Sequence, residues 1–487
     1  MLLKTTPFKH QADVIELSKD SPYYGLFCEQ GTGKTLIGIA TFTHLFYEKK
    51  INGVIIVAPN GVHDNWTRIE IPKHCHLEHN RDFHMATWHG NDGAKKKKRW
   101  DWVANSAPTN ELAVLACNVE ALRTESFWKT IEKGFLEERD FMLIVDESTI
   151  IKNPKAEQSK NCFHLADRAK YTRIMTGTPI TQSPLDLWSQ CRVLSKDALP
   201  YTSYTAFKHE FAIEQAMVFG NRRFNKIVAY RNQELLAQLI APFTYRVLKK
   251  DCLDLPPKVY QTRFVELTAE QRRVYTDLSQ QCLATLGDGK GVATVTTVIT
   301  MLLRLHQVVL GYVPNDNPKE MVRIEHNRIK ALWGLLEENA GKAIIYCRFL
   351  EDVKQVSEML DARLNEGESY ALYTGDESSK DRTESVDRFQ ADPKCLYFVA
   401  TSAAARGLTL TAAEQVIYYS QGYSLETRLQ SEDRAHRSGQ TKTVVYTDFC
   451  SQGTVEDAIV QALQSKKELA AGVMDHAALA RLIKLDE

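Results

Sequence analysis

Phe27-Cys-Glu-Gln-Gly-Thr-Gly-Lys-Thr35 is the stretch on which the reading of this chain turns. Tyr23, Tyr24, Leu26 and Phe27 precede it as a candidate buried strand, and Leu36, Ile37, Ile39 and Ala40 follow as the start of a candidate helix. A strand, a glycine turn and a helix N-terminus together make a phosphate cradle. The backbone N–H groups of Gly31, Thr32 and Gly33 point at the anion, and the Lys34 ammonium reaches the outer phosphates. Thr35 can offer its hydroxyl to Mg²⁺. Cys28 stands where the usual pattern has its first glycine, so the short form alone also fits a solvated turn.

Outward from that stretch, the bulk numbers set limits. A chain of 487 residues can bury a large core and form two to four domains. Its 44% apolar and 25% charged residues are ordinary for a globular protein. No apolar run approaches the ~20 residues that span a bilayer, and Met1 to His10 lacks the apolar core of a signal peptide. Ten cysteines without a Cys-x-x-Cys pair argue against a disulfide framework and for a reducing compartment. With 61 basic and 61 acidic residues the net charge is zero. Any nucleic-acid binding must therefore come from a local basic face.

Apolar runs at Gly53–Pro59, Glu111–Cys117, Phe141–Asp146 and Arg173–Pro179 read as further buried strands alternating with helices. That pattern gives an α/β doubly wound domain with function at the strand carboxyl ends. Residues 180–260 show helical periodicity, many aromatics and no clear strand. Pro256-Pro257 marks a boundary, and Thr268-Ala-Glu-Gln271 is a capping box that opens a helix. A second set of strands follows at Gly341–Cys347, Ser369–Gly375, Cys395–Thr401, Gln415–Ser420 and Thr443–Thr447, without a phosphate loop of its own. Asp288 to Gly291 is a short glycine-rich interruption, and no repeat points to a solenoid.

Phe141–Asp146 ends in two carboxylates, Asp146 and Glu147. A phosphate loop needs a metal, and Asp146 suits that ligand role with Thr35. Hydrolysis needs a group to orient and deprotonate water, and Glu147 suits it. Far downstream, Gln430-Ser-Glu-Asp-Arg-Ala-His-Arg-Ser-Gly-Gln440 places Arg434 and Arg437 one helical turn apart, on one face. Two such arginines suit a phosphate partner, and a second lobe closing on the first would make them arginine fingers. A solvated basic helix beside Glu432 and Asp433 is the alternative. Gln11, just upstream of the phosphate loop, can read an adenine edge through its amide, or be a surface residue.

These motifs, in this order, resemble a Swi/Snf-type ATPase of helicase superfamily two. Gln11 resembles the adenine-reading Gln; Gly31–Thr35 motif one; Ile56–Trp66 motif one-a; Asp146-Glu147 motif two; Thr176–Pro179 motif three. Lys342–Phe349, Thr401–Thr411 and Gln430–Gln440 resemble motifs four, five and six. Asp433-Arg-Ala-His-Arg-Ser-Gly-Gln440 and Asp251-Cys-Leu-Asp-Leu-Pro-Pro-Lys258 carry the resemblance most specifically. It covers about residues 7–465.

The resemblance implies two RecA-like lobes: 1–180 as lobe 1, 181–250 as its helical insertion and 251–265 as a linker. It then implies 266–325 as a helical protrusion, 326–470 as lobe 2 and 471–487 as a tail helix. It implies a duplex-DNA translocase using ATP and Mg²⁺, with Lys34, Asp146, Glu147, Arg434 and Arg437 catalytic. Gln11, Gly31, Thr32, Gly33, Lys34, Thr35 and Gly407 would hold the nucleotide, and Thr35 and Asp146 the metal. The expected partner is double-stranded DNA, with single-stranded or forked DNA as variants. No membrane partner is expected. The expected state is a monomer in a bacterial or phage-infected cytoplasm, or in a nucleus if the host is eukaryotic. A strand-separating or annealing helicase and an ATP-gated remodeller of a DNA-bound protein are the alternatives.

Two motifs depart from the family. Motif two reads Asp-Glu-Ser-Thr, with Thr149 where His is usual, which weakens the expected link to motif three. Motif five reads Ala405-Arg406-Gly407 rather than a glycine-rich form, and Arg406 becomes a candidate phosphate contact. Lys95–Lys98 with Arg99 reads as a solvated loop, with a phosphate contact as alternative. His74, Cys75, His76, His79 and His84 match no closed zinc spacing.

Overall fold

A computed structural model describes residues 3–485 other than 61, 91–92, 220–221, 253, 288–294, 315–320, 340 and 406–407. Asp288–Gly291 of the glycine-rich interruption, and the candidates Arg406 and Gly407, lie outside the described residues. The chain divides into two compact units. One is Met1–Glu214 with Ile227–Asp254 and Lys466–Glu487; the other is Gln215–Lys226 with Leu255–Ser465.

The first unit is built on β1 (Tyr23–Cys28), β2 (Gly53–Ala58), β3 (Phe83–Thr87), β4 (Leu112–Asn118), β5 (Phe141–Asp146) and β6 (Tyr171–Met175). A two-stranded sheet of β7 (Ala212–Phe219) and β8 (Arg222–Tyr230) precedes β9 (Thr244–Val247). Seven strands pair in the order β3-β4-β2-β5-β6-β1-β9, every neighbouring pair parallel. β2 is apolar at every position, and β5 at every position before its final Asp146, as strands packed on both faces require. Ile55, Val57, Leu143 and Val145 enter one core layer, and Val54, Ile56, Met142 and Ile144 enter the other, as the two-residue side-chain period requires. Each such side chain contributes about 1.5–3 kcal/mol by leaving water.

Register does the positioning. Leu26 of β1 pairs with Met175 of β6, and Met175 pairs with Asp146 of β5. The carboxyl ends of β1, β5 and β6 therefore lie side by side, and the segments leaving them start from one edge of the sheet.

The second unit carries β10 (Lys258–Phe264), the pair β11 (Tyr312–Pro314) and β12 (Met321–Arg323), then β13 (Ala343–Tyr346), β14 (Ser369–Tyr373), β15 (Cys395–Ala400), β16 (Gln415–Tyr418) and β17 (Val444–Cys450). Six of them pair in parallel in the order β10-β17-β16-β13-β15-β14. Ile345, Val399 and Ile417 face one core layer; Ile344, Phe398 and Val416 face the other. The expected class, two doubly wound parallel-sheet units, is the observed one.

Four local expectations are corrected. The stretch read as a helical insertion, 181–250, contains β7, β8 and β9, and β9 completes the first sheet. It is four residues long and carries Arg246, too short and polar for a buried-strand signal. The linker 251–265 holds β10, paired with β17 over seven positions from Lys258↔Val444 to Phe264↔Cys450; an edge strand needs no apolar run. Lys95–Arg99 lie in a helix, Ala94–Asn105, not a loop. The terminal helix begins at Val455 and runs to Leu485. Among the described residues, no helix is long and apolar enough to cross a membrane, and the nine described cysteines are free.

Fully buried Arg173 of β6 braces the edge that carries Gln11. Its guanidinium donates to Thr172 O (2.7 Å), Ser18 O (2.5 Å) and Ser21 O (2.8 Å). Ser18 ends the helix Lys9–Ser18, so a cation sits on the orphan carbonyls of a helix C-terminus. Arg173→Met keeps the bulk and removes those donors. It should lower stability by about 3 kcal/mol, read as the urea midpoint of the transition that unfolds the first unit. An unchanged midpoint would remove this role.

Candidate active site

The phosphate loop forms as the sequence requires. Gly31 and Gly33 take φ of 84° and 88°, a region open to glycine at no steric cost. The helix Lys34–Tyr47 starts directly after Gly33, aiming its first N–H groups into the turn. Lys34 is buried, and its Nζ donates to Cys28 O (2.8 Å) and Glu29 O (3.4 Å). The Thr32 hydroxyl donates to Glu29 O (2.7 Å). Thr35 is half-buried in the first helical turn.

Gln11 lies on this loop rather than on the surface. It is buried; Nε2 donates to Thr32 O (2.9 Å), and Oε1 accepts from Phe8 N (2.8 Å). An amide has two N–H donors and an oxygen with two lone pairs. These bonds use one of each and leave one of each. A Cβ at Gly33 would come within 2.0 Å of Gln11 Nε2, so the glycine is needed for space as well as for φ.

Asp146 ends β5, buried. Oδ2 accepts from Trp66 Nε1 (2.9 Å) and Oδ1 from Glu147 N (2.9 Å). Burial pushes its pKa up, opposed by the Lys34 charge and by these hydrogen bonds. A buried carboxylate at a strand end is a hard oxygen ligand of the kind that a divalent cation takes. Glu147 follows at φ 48°, left-handed without being glycine, a strained backbone of the sort found at functional sites. Its Oε1 accepts from Gln30 Nε2 (3.3 Å) and its Oε2 from the Thr176 hydroxyl (3.3 Å). Thr178 N in turn donates to Thr176 Oγ1 (3.1 Å). A Cβ on Gly177 would stand 3.1 Å from Gln30 N, so the Thr-Gly-Thr-Pro segment packs on the phosphate-loop backbone.

One edge of the first sheet thus gathers Gln11, Gly31–Thr35, Asp146, Glu147 and Thr176. Sequence reasoning missed Trp66 as a partner of Asp146. It lies in a π-helical turn, Trp66–Glu70, and its indole is fully buried; π turns are frequent at functional sites. It also missed Gln30. Thr149 is buried, and its hydroxyl has no hydrogen-bond partner.

The second unit holds the arginines, and the helix-face expectation is corrected. Helix Leu425–Ala435 ends before Arg437, with His436 at φ −107°, ψ 82°. The chain then turns through Gly439 at φ 99°. The two guanidiniums still converge: Arg434 Nη1 and Arg437 Nη1 each donate to Leu408 O at 3.0 Å. Arg437 also donates to Thr409 Oγ1 (2.9 Å), and Arg434 Nε to Gln430 O (2.9 Å). Arg434 is buried and Arg437 half-buried. Glu432 is turned inward, paired with Arg428 (2.8 Å) and Lys258 (3.3 Å).

Residues 15–310 match the family model described as SNF2-related domain, and 327–439 match the helicase conserved C-terminal domain. Similar proteins include the Arabidopsis thaliana ISWI chromatin-remodeling complex ATPase CHR11, 25% identical, covering 93% of this chain and 41% of that one. An uncharacterized ATP-dependent helicase of Mycoplasma pneumoniae is 27% identical over 74% of this chain and 32% of its own. The chain spans less than half the length of these curated relatives. A solved SWI2/SNF2 ATPase core of Sulfolobus solfataricus in complex with dsDNA is 24% identical, covers 99% and 96% of the two chains, and has a TM-score of 0.43.

Gly33→Ala should displace the Gln11 amide and strain the turn, costing about 1–2 kcal/mol. If the contact is the cause, Gly33→Ala with Gln11→Ala should be less destabilised than the sum of the single variants, measured by urea denaturation. Full additivity would mean that the two residues act apart.

Proposed function

The chain belongs to the SNF2-related domain family, and on that premise we propose that it is a motor that hydrolyses ATP and moves along double-stranded DNA. One observation carries the catalytic part: Glu147 is held by Gln30 of the phosphate loop and by Thr176 of the Thr-Gly-Thr-Pro segment, beside buried Asp146. A phosphate cradle, a metal-binding carboxylate and a poised base at adjoining strand ends are the parts that phosphoryl transfer to water requires.

In this reading the Gly31–Lys34 backbone and the Lys34 ammonium bind the β- and γ-phosphates. Gln11 offers its remaining N–H and lone pair to an adenine edge. Thr35 and Asp146 would hold Mg²⁺, which would neutralise phosphate charge. Glu147 orients a water and takes its proton. Arg434 and Arg437, which meet at Leu408 O within the second unit, are the side chains there suited to a phosphate. The names of two relatives, a chromatin-remodeling complex ATPase and an ATP-dependent helicase, support ATP as substrate and DNA as track. Zero net charge means that the track would be gripped through a local set of basic residues at phosphates.

Glu147→Gln keeps shape and loses the base. It should retain ATP binding within a few-fold and lose turnover by at least about a hundredfold, measured with a fluorescent nucleotide analogue and steady-state hydrolysis. Loss of binding as well would make Glu147 structural.

The DNA part rests on stimulation. Duplex should stimulate ATPase with little sequence preference, long duplexes more than short, and the effect should collapse between ~50 and ~200 mM salt. Steady-state rates with duplex, single-stranded and forked DNA, RNA and no nucleic acid decide this. Equal stimulation by single strands would favour a strand-separating helicase, and none by any nucleic acid a remodeller of proteins.

A further inference from the structure

Ser148 and Gln190 are both fully buried, and the proposed chemistry uses neither. Ser148 follows Glu147 directly. Its hydroxyl donates to Gln190 Oε1 (2.7 Å), and Gln190 Nε2 donates to Pro179 O (2.7 Å) and Asp186 O (2.9 Å). Both amide hydrogens are spent, so the side chain has one orientation. It stands in the helix Asp186–Leu194 and ties the residue after the candidate base to the last carbonyl of Thr-Gly-Thr-Pro.

A second tie runs alongside. Lys152 Nζ donates to Thr181 Oγ1 (2.7 Å), and Asp186 Oδ2 accepts from Thr181 N (2.9 Å), Thr181 Oγ1 (3.1 Å) and Gln182 N (2.8 Å). Segment 179–182 is thus fixed to 148–152 at two points. The hydroxyl of Thr149, at the position expected to make this link, makes no hydrogen bond.

We infer that Gln190 is a positioning residue that couples the Asp146-Glu147 turn to the Thr-Gly-Thr-Pro segment through Ser148. A buried glutamine tolerates no loss of partner: without the Ser148 hydroxyl, Oε1 is desolvated and unpaired. A shift of the Glu147 backbone therefore cannot be absorbed at Ser148. It passes to Gln190 and to Pro179, and so to Thr176, which holds the Glu147 carboxylate. The loop closes on itself, and its effect falls on the alignment of the base rather than on nucleotide binding. The inference rests on Glu147 acting as that base.

Ser148→Ala, Gln190→Leu and the double variant test it in the full chain. Nucleotide-free hydrogen exchange should be at least about tenfold faster at Thr178, Thr181 and Gln182 in each variant, with β2 amides unchanged. Under duplex stimulation, kcat should fall about tenfold while the KM for ATP stays within about twofold. The double variant should be no worse than the more affected single variant. Unchanged exchange, or additive losses of kcat, overturns the coupling; faster exchange with wild-type kcat reduces it to a structural tie. If Gln190→Leu does not fold, Ser148→Ala decides alone. A wild-type chain that hydrolyses no ATP overturns the proposed function and with it the catalytic coupling, while the exchange data still judge the tie.

Discussion

The lateral register of β5, β6 and β1 is the constraint on which the site depends. Asp146 opposite Met175, and Met175 opposite Leu26, set where three segments leave the sheet. A slip of one residue in any of these strands would exchange its two core layers. The alternating burial of Val145 and Ile144 in opposite layers forbids that slip. Packing of apolar side chains thus sets the distance between a carboxylate and a phosphate loop that share no apolar contact.

Within that frame, hydrogen bonds do the fine placement. Asp146 is oriented by an indole and a backbone N–H, Glu147 by an amide and a hydroxyl. Two of these donors are themselves fixed, Trp66 by full burial and Thr176 by the Thr178 amide. Few of these contacts would be strong alone, but buried groups that cannot find water have no alternative arrangement.

What the sequence disclosed follows from how local each signal is. Gly31–Thr35 was legible because the turn, the lysine and the helix start lie within five residues, and Asp146-Glu147 because an apolar strand points to them. The two-unit α/β class was legible from runs such as Gly53–Ala58. Trp66 and Gln190 were not, since their partners lie 80 and 42 positions away and nothing local marks a tryptophan or glutamine as a tether. β9 and β10 were lost for another reason: edge strands pair on one side only and need no apolar run. Arg434 and Arg437 were placed on one helix face, yet they meet at Leu408 O because the chain leaves the helix at His436.

Glu147 carries a left-handed backbone with a full side chain attached. Sterics at this position favour glycine, by about 1–2 kcal/mol, whereas the proposed chemistry demands a carboxylate. The two pressures oppose each other within a single codon. Drift toward a more comfortable backbone would erase the base, and selection for the base holds the chain off its own stability optimum. In a lineage released from selection for the proposed chemistry, position 147 is where sterics would prevail early, leaving a fold that keeps its shape and its glycine turn but lacks the carboxylate.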